Sequence, residues 1–354
     1  MTNERYGLLT MAAPSTVVSV VPTLNEENHI ERCLRSLMEQ TYSPQLHKII
    51  VVDGGSDDAT VNITLRLAKE SEEKDGPVII QLDNPQKYVP QARNIALEYC
   101  EDEDEFIFEM NAHAYVDANH IEKRIQDLLS IEEQQGKKIA GVGTRVEADE
   151  RWSGFAGRWV EGAISSPLGH GGGQFAPFVG RQQHRVPAFV IHRREALIDV
   201  KGWGEEWQTN QDSDLSMRLL KSGWELWRSD VSRLKMAKRD SLFGFAKMMF
   251  RYGAWRGKCI WVHPKRANPL EFLPFIGLLI ICGLALLYPL DNVWTYPIFS
   301  YIVALLLIGI FQTFKFRSVS MVVGVPISLL VMHTSFTTGL VLGLLRLPVG
   351  RHDR

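Results

Sequence analysis

The stretch from Val17 to Thr60 constrains the fold more than any other part of the chain. It opens with the apolar, β-branched run Val17–Val21, and a second such run follows at Lys48–Val52. Between them, apolar residues recur at the spacing of one helix face, at Ile30, Leu34 and Leu37. Two continuous β-branched runs joined by an amphipathic helix are typical of neighbouring parallel strands that are buried on both faces. The sequence therefore predicts an α/β fold.

Polar residues follow both strands at the points where the strands end. Asn25 and Glu26 come shortly after the first strand, and Asp53 and Asp57 come after the second. In an open α/β sheet, ligands bind outside the carboxyl ends of the strands. We therefore expect these four side chains to surround one pocket. Because Asp, Gly and Asn favour turns in any protein, an α/β domain with acidic loops is the alternative interpretation.

The two polar loops resemble motifs of the family 2 glycosyltransferases, which are inverting enzymes that use a nucleotide-sugar donor. The family reads Pro-x-x-Asn-Glu after its first strand and Asp-(Asp or Gly)-Gly-Ser-x-Asp-x-Thr after its second, and the chain has these patterns at 22–26 and 53–60. The resemblance covers about residues 16–258 and implies a Rossmann-like GT-A domain, and hydropathy alone predicts that C-terminal transmembrane helices follow it. The resemblance also implies a donor-binding set, which consists of Pro22, Thr23, Asn25, Glu26, Asp53, Asp57, Arg93 and Asn111.

Arg93 joins this set through the triplet Ala92-Arg93-Asn94 near the start of a predicted helix. In the family, an arginine and the amides of a helix terminus lie close to the donor's phosphates. A helix N-terminus is a favourable place for an anion. The alternative interpretation is a surface helix residue without a part in binding.

The segment after the predicted strand Phe106–Phe108 concerns the metal. The family places an Asp-x-Asp motif here, whose carboxylates hold a divalent cation on the donor's diphosphate. This chain reads Asn111-Ala112-His113 instead. The branch that makes exopolysaccharide of the succinoglycan type tends to read Asp-Ala-His-Ala, so Ala112-His113-Ala114 fits that branch and Asn111 departs from it.

The resemblance therefore implies a divalent cation, Mn²⁺ or Mg²⁺, with Asn111 and His113 as its protein ligands. Both ions favour oxygen ligands, and an imidazole nitrogen suits Mn²⁺ better than Mg²⁺. Two acidic residues nearby are candidates to add a carboxylate. They are Glu109, which points to the same strand face as Asn111, and Asp117.

A third motif, Gln211-Asp212-Ser213-Asp214-Leu215, begins a predicted helix whose apolar residues face inward. Family members read Glu-Asp-x-Asp-Leu-x-x-Arg-Leu at this place, and the Asp of the Glu-Asp pair is their catalytic base. The resemblance thus assigns the base to Asp212. Inverting transfer needs one group that removes the proton of the acceptor hydroxyl. The alternative is that both acids merely stabilise a helix N-terminus.

Further residues are assigned to the acceptor or the diphosphate: Gln211, Asp214, Arg251, Trp255 and Arg256. The last three lie in the segment Phe250–Lys258, which resembles a basic and aromatic segment that follows the base in related enzymes. The same segment fits an amphipathic helix that rests on anionic lipid. The two interpretations are compatible if the acceptor is in the membrane.

Charge and hydropathy divide the chain into a polar and an apolar part. The formal net charge of -2 provides no electrostatic reason to expect a nucleic-acid partner. From Pro269 onward apolar residues dominate, and we predict membrane segments at 272–290, 294–311 and 319–345. The last is interpreted either as one span or as a broken pair of shorter segments. The predicted domains are a tail (1–15), the GT-A domain (16–258), a juxtamembrane linker (259–271) and the membrane region (272–347).

The basic residues predict the orientation in the membrane. The tail lacks the pattern of a signal peptide. Basic residues lie on one side of the predicted spans, namely Lys258, Lys265, Arg266, Lys315 and Arg317, with Asp291 on the other. Cytosolic loops carry an excess of such residues, which predicts a multi-pass membrane protein with a cytosolic catalytic domain. A three-span topology would place Arg346, Arg351 and Arg354 outside, and a re-entrant or interfacial last segment removes that conflict.

The function predicted from these patterns is that of a membrane-anchored inverting glycosyltransferase of the hexosyltransferase type. A nucleotide-sugar is the donor, and a lipid-linked sugar or a growing polysaccharide is the acceptor, with membrane lipid as a further partner. The first alternative is a polyprenyl-phosphate sugar synthase, which glycosylates a phosphate and needs no base. The second is a non-catalytic scaffold that binds a nucleotide or a sugar at the membrane.

Overall fold

The first elements of the chain alternate strand and helix, as predicted. The computed structural model describes residues 15–149, 154–170, 176–236, 241–287 and 295–347. The alternating strands and helices at the start of the chain are β1 (Thr16–Thr23), α1 (Ile30–Met38), β2 (His47–Asp53), α2 (Thr60–Glu73), β3 (Val78–Asp83), α3 (Val89–Tyr99) and β4 (Asp104–Glu109). Strand β1 pairs in parallel with both β2 and β4, and β2 pairs in parallel with β3. The α/β fold predicted from the β-branched runs is therefore confirmed.

The core of this region is formed by the residues that carry the sequence pattern. Ile49, Ile50, Val51 and Val52 of β2 are all fully buried, which is why this strand is apolar without alternation. Helix α1 buries Ile30, Leu34 and Leu37, the residues on its apolar face. Each such side chain contributes about 1.5–3 kcal/mol when it is removed from water. Burial of both strand faces and of one helix face thus holds β1, α1 and β2 together.

The second half of the sheet is mixed. The remaining elements are β5 (Ala114–Val116), α4 (His120–Gln135), β6 (Gly141–Ala148), α5 (Phe155–Ile164), α6 (Pro167–His170), β7 (Gln182–Gln183), β8 (Ile191–Arg193), α7 (Arg194–Asp199), α8 (Gln211–Lys221), β9 (Leu226–Met236), α9 (Leu242–Val262), α10 (Leu273–Leu287), α11 (Tyr296–Phe316) and α12 (Met321–Leu344). The strands follow the order β3-β2-β1-β4-β8-β6-β9-β5. Strand β8 runs antiparallel to β4 and to β6.

The chain forms two compact units that interleave along the sequence. The described residues up to Thr144 form the first unit together with Phe189–Trp203 and Ser222–Leu234. The second unit contains Arg145–Ala188, Gly204–Lys221 and the described residues from Lys235 onward. The domain boundary predicted after residue 258 therefore falls inside α9, and the predicted linker 259–271 begins within that helix.

Helix α12 is at the centre of the second unit, and α9 packs along it at backbone distance. Gly253 and Gly257 of α9 face the backbone of Phe336 and Gly343 of α12, and Gly339 of α12 faces the backbone of Phe250. A Cβ atom on Gly257 would lie 2.6 Å from the carbonyl carbon of Gly343, and one on Gly253 would overlap the carbonyl oxygen of Phe336. Small residues are required wherever two helix backbones approach this closely. The interface depends on these glycines.

Two C-terminal helices are long and apolar enough to cross a membrane. They are α11, with a mean hydropathy of 2.0, and α12, with 1.6. The last predicted segment is one continuous helix that contains Pro326, so the alternative of a broken pair is wrong. The first predicted segment, 272–290, corresponds to α10, which has 15 residues within the described part of the chain. Residues 288–290, position 294, Asp291, Arg351, Arg354 and the predicted tail up to position 14 lie outside the described residues.

Candidate active site

The two polar loops after β1 and β2 are joined by hydrogen bonds. Parallel pairing sets Thr23 opposite Asp53 at the ends of the strands. Asn25 Oδ1 accepts a hydrogen bond from the backbone N–H of Asp57 at 2.9 Å, and the backbone N–H of Asn25 donates to Ser56 Oγ at 2.8 Å. The structure thus brings the four predicted residues Asn25, Glu26, Asp53 and Asp57 to one edge of the sheet. Asn25 and Asp57 are exposed there, and Glu26 is half-buried.

The carboxylate of Asp53 accepts hydrogen bonds from residues of these two loops. Its Oδ1 accepts from Thr23 Oγ1 (2.9 Å) and Ser56 Oγ (2.6 Å), and its Oδ2 accepts from the N–H groups of Gly55 (2.9 Å) and Ser56 (2.8 Å). Gly55 has φ +83°, a backbone conformation that other residues rarely adopt. A carboxylate offers about four acceptor positions, and here all of them are used. The geometry therefore favours Asp53 as the residue that shapes the loop over direct contact with a nucleoside.

Glu26 and His113 meet at the same edge of the sheet. His113 Nδ1 lies 3.0 Å from Glu26 Oε1, and both side chains are partly exposed. Asn111 is half-buried next to them in sequence, and its carbonyl oxygen accepts from the N–H of Ala114. Within the described residues, no group of three or more His, Cys, Asp or Glu side chains is arranged to hold a metal ion. The protein side chains here thus offer at most a partial coordination sphere, which phosphate oxygens and water would have to complete.

Glu109 does not belong to this edge. It is 3% exposed, and its Oε1 lies 3.2 Å from His192 Nε2 and 3.5 Å from Arg93 Nη1. Burial raises the pKa of Glu109, but the charge of Arg93 and the hydrogen bond from His192 outweigh burial and hold the pKa below its ordinary value. These surroundings already compensate the charge of Glu109, which favours a role in the interior over the candidate role as a metal ligand.

The same contact changes the interpretation of Arg93. Its side chain is 3% exposed, pairs with Glu109 and lies over the ring of Trp203 at 5.6 Å. A buried guanidinium paired in this way stabilises the fold, because removal of either charge would break a buried ion pair. The structure favours this role over the predicted contact with the donor's phosphates. Asp117, the other predicted carboxylate, is exposed at the end of β5.

In the second unit, Asp212 and Asp214 lie in the first turns of α8 with different surroundings. Asp212 is half-buried. Asp214 is 4% exposed, and both of its oxygens are held. His263 Nε2 lies 2.8 Å from Oδ1, and Arg218 Nε donates to Oδ2 at 2.9 Å. Gln211, the first residue of α8, is half-buried beside them.

The predicted acceptor and diphosphate residues of α9 lie in a basic and aromatic cluster. Trp255 packs against Trp207 with ring centroids 5.9 Å apart, and the ammonium of Lys258 lies 4.4 Å from the Trp255 ring. Arg256 Nη1 lies 3.2 Å from Glu271 Oε1. Arg251 is half-buried on the same helix. These positions remain predictions for ligand contact.

Several residues of this cluster were not singled out by their local sequence. Arg266 donates to Ser213 Oγ at 3.1 Å, and it also approaches Glu271 Oε1 at 3.5 Å. Burial and the nearby charge of Arg256 lower the pKa of Arg266 to about 10. His263 and Glu271 likewise come from the stretch predicted to be a linker. In the sequence, the one sign of a special role for Arg266, His263 and Glu271 is that they are polar residues between two apolar stretches. This pattern does not indicate which residues they contact.

Comparison with known proteins shows which family and which relatives the chain is similar to. Residues 19–159 match the sequence model of the family described as Glycosyl transferase family 2. The chain is 27% identical over 257 residues to the succinoglycan biosynthesis protein ExoA of Rhizobium meliloti, which covers 72% of this chain and 73% of that protein. It is 25% identical over 337 residues to the dolichyl N-acetyl-α-D-glucosaminyl phosphate 3-β-D-2,3-diacetamido-2,3-dideoxy-β-D-glucuronosyltransferase of Methanococcus voltae, covering 92% of this chain and 96% of the relative.

A solved structure shows the same fold. The mannosyltransferase PcManGT from Pyrobaculum calidifontis, in complex with GDP-Man and Mn²⁺, aligns over 94% of this chain and 89% of its own. The TM-score is 0.64 and the sequence identity is 15%, so this likeness supports the fold alone. Helices α11 and α12 are long and apolar enough to cross a membrane, which is consistent with membrane association. The chain therefore contains a glycosyl transferase family 2 domain at residues 19–159 and has a Rossmann-like GT-A fold.

Proposed function

We propose that this protein is an inverting transferase that moves a sugar from a nucleotide-sugar to a hydroxyl of a lipid-linked sugar or polysaccharide, with Asp212 as the general base. The observation that carries this proposal is the contrast within α8. Asp214 is buried and bonded to His263 and Arg218, whereas Asp212 is half-buried. Of the two acids, Asp212 has the surroundings that a base in contact with substrate requires.

The proposed reaction needs only one proton transfer by the protein. As the acceptor hydroxyl oxygen forms its bond to the anomeric carbon, the bond from that carbon to the diphosphate oxygen breaks, and the hydroxyl proton passes to Asp212. The nucleoside diphosphate leaves as a stable anion, so no acid is needed to protonate it. Attack from the side opposite the leaving group inverts the anomeric configuration. General-base assistance of this kind contributes about 10²–10⁴ in rate.

The donor is proposed to bind at the edge formed by the loops after β1 and β2. Asn25 and Asp57 are exposed at this edge, and Asp53 shapes the loop that presents them. A divalent cation would supply charge neutralisation for the diphosphate, and Glu26 with His113 are the residues proposed to hold it together with phosphate oxygens and water. Asn111 remains a predicted ligand. The relative crystallised with Mn²⁺ supports a cation of this class.

The acceptor is proposed to be presented at the membrane, with the catalytic domain on the cytosolic side. Two observations support this: the apolar helices α11 and α12, and the relative from Methanococcus voltae, whose name describes transfer to a dolichyl-linked sugar phosphate. The relative from Rhizobium meliloti takes part in succinoglycan biosynthesis, which supports a polysaccharide product. A transferase family match argues against the non-catalytic scaffold.

The test uses the full chain, purified in detergent, with a panel of nucleotide-sugars and with Asp212→Asn. We expect one donor to raise the melting temperature and to transfer its sugar to lipid-linked acceptors with inverted anomeric configuration. Asp212→Asn should lower turnover by roughly 10²–10⁴ while donor affinity changes little. Full turnover of Asp212→Asn with a polyprenyl phosphate acceptor would favour the phosphate-glycosylating alternative instead.

The proposed metal site has its own test. Removal of divalent cations by a chelator should abolish transfer, and Mn²⁺ should restore it better than Mg²⁺, because an imidazole is a better ligand for Mn²⁺. His113→Ala should raise the Mn²⁺ concentration needed for half-maximal activity. Strict Mg²⁺ dependence that is unchanged in His113→Ala would show that other residues hold the ion.

A further inference from the structure

His263, at the end of α9, contacts the helix turn that carries the proposed base. Its Nε2 lies 2.8 Å from Asp214 Oδ1, and Arg218 occupies the other oxygen of Asp214. Asp214 is 4% exposed, so water competes little for these bonds. Asp214 is two residues after Asp212 in α8, which means that whatever holds Asp214 also holds the backbone of the turn on which Asp212 lies.

His263 is itself held in place from several sides. Its backbone N–H donates to the carbonyl oxygen of Cys259 at 2.7 Å, which ends α9. Its ring stacks on Trp207 at 6.4 Å with an interplanar angle of 29°, and Trp207 is 1% exposed. Helix α9 in turn packs on α12 through the glycines described above. The imidazole therefore has little freedom to move relative to α8.

A second contact joins the same two segments. Arg266, three residues after His263, donates from Nε to Ser213 Oγ at 3.1 Å. Ser213 lies between Asp212 and Asp214, so the first turn of α8 is bonded at two successive residues to the end of α9 and the turn that follows. The residue proposed to meet the substrate, Asp212, directly precedes these two bonded residues in the turn.

We propose that His263 is a positioning residue for the transfer reaction: through Asp214 it orients the first turn of α8 and with it Asp212. This inference rests on the proposed function of Asp212 as the base. The physical reason is that a displacement of about 1 Å in a reacting group costs on the order of 10²-fold in rate. A catalytic group must be held by neighbours that are themselves immobilised, and His263 meets that condition.

The first experiment compares His263→Gln with His263→Asn in the full chain. The glutamine side chain places its amide N–H about where Nε2 lies and still reaches Asp214, whereas the shorter asparagine does not. We expect His263→Gln to retain turnover within about threefold and His263→Asn to lose roughly 10- to 100-fold in kcat, with the donor KM unchanged. Equal turnover of the two variants would overturn the proposal. Because both replacements are neutral and polar, their difference is not one of solvation.

The second experiment places His263→Asn in the Asp212→Asn background. If His263 acts through Asp212, the residual rate of Asp212→Asn should not fall further when His263 is also replaced. A further loss of 10-fold or more would show that His263 supports activity in another way, which overturns the inference. Failure of the proposed function is seen separately, because Asp212→Asn alone would then retain full turnover.

Discussion

Among single residues, Asp214 and Asp212 show how burial gives two identical side chains different roles. Asp214 lies in the same helix turn region as Asp212, yet its oxygens are bonded to His263 and Arg218 and it is almost fully buried. A buried carboxylate bonded in this way stabilises the helix start to which it belongs. Its replacement should therefore affect stability more than chemistry.

The matched variant Asp214→Asn tests this difference. The amide oxygen can still accept from His263, but the charge that pairs with Arg218 is lost. We expect turnover to fall by no more than about tenfold and the melting temperature to decrease, since breaking a buried pair costs about 3–5 kcal/mol. Asp212→Asn should show the opposite pattern, a large loss of turnover with little change in melting. If the two phenotypes were exchanged, Asp214 would be the base.

Glu109 allows a prediction for pH dependence. Its pKa is lowered in the folded protein, so its paired, ionised form contributes stability above the ordinary glutamate value of 4.5, and this contribution is lost as the pH falls from there toward the folded value. Glu109→Gln breaks the buried ion pair with Arg93 and should destabilise the protein at pH 7 by about 3 kcal/mol. The difference from the unmodified chain should shrink below pH 4.5 when unfolding is followed by circular dichroism. A difference that is independent of pH would contradict the ion pair.

At the scale of elements, the contact between α9 and α12 determines where the α9 residues lie. The helices run side by side, because successive residues of α9 meet successive residues of α12: Gly253 faces Phe336, Gly257 faces Gly343, and Trp261 Nε1 donates to the carbonyl oxygen of Leu344 at 2.8 Å. A helix that lies on lipid alone would need no glycines on its buried face. Helix α9 is thus part of the packed interior of the second unit.

Gly339→Ala and Gly277→Ala form a matched pair for this interface. A Cβ atom at Gly339 of α12 would overlap the carbonyl oxygen of Phe250, whereas one at Gly277 of α10 meets nothing within 4 Å among the described residues. We expect Gly339→Ala to destabilise the protein by about 1–3 kcal/mol, as overpacking does. Gly277→Ala should be neutral or slightly stabilising, because Ala is the better helix former. Equal melting temperatures of the two variants in detergent would contradict the close contact.

At the scale of the whole molecule, both ends of α12 contact polar parts of the second unit. Near its start, Ser320 accepts a hydrogen bond from Trp159 of α5 at 3.0 Å, and Lys315 lies 3.3 Å from Ser165 Oγ. Beyond its end, the guanidinium of Arg346 lies 4.2 Å from the ring of Trp261 of α9. These contacts agree with an interfacial last segment, which was one of the two ways to interpret the basic residues near the C-terminus.

Fusion reporters test this topology. We expect alkaline phosphatase fused after residue 354 to be inactive and green fluorescent protein at the same place to fluoresce, as for a C-terminus on the cytosolic side. The same reporters fused at the N-terminus provide the reference for that side. An active phosphatase at the C-terminus, with a cytosolic N-terminus, would contradict a C-terminus on the cytosolic side.

Elements with a local sequence pattern could be predicted without the structure. The β-branched runs and the helix between them predicted β1, α1 and β2, because strand and helix periodicity is read over a few residues. The motif spacing also predicted that Asn25 and Asp57 meet, since parallel pairing brings strand ends together. The start of α8 with its two acids followed from the same kind of local pattern.

The tertiary structure was needed to show which of these side chains are already bonded to a partner from a distant part of the chain. Glu109 meets His192, 83 residues away, Glu26 meets His113, 87 residues away, and Asp214 meets His263, 49 residues away. Such pairs depend on how whole elements pack, and a side chain's spacing along the chain carries no information about them. Burial then decides their roles, because a buried charge must be compensated by a partner. For this reason Arg93 and Glu109 pair in the interior, although their positions in the sequence pointed to the donor and the metal.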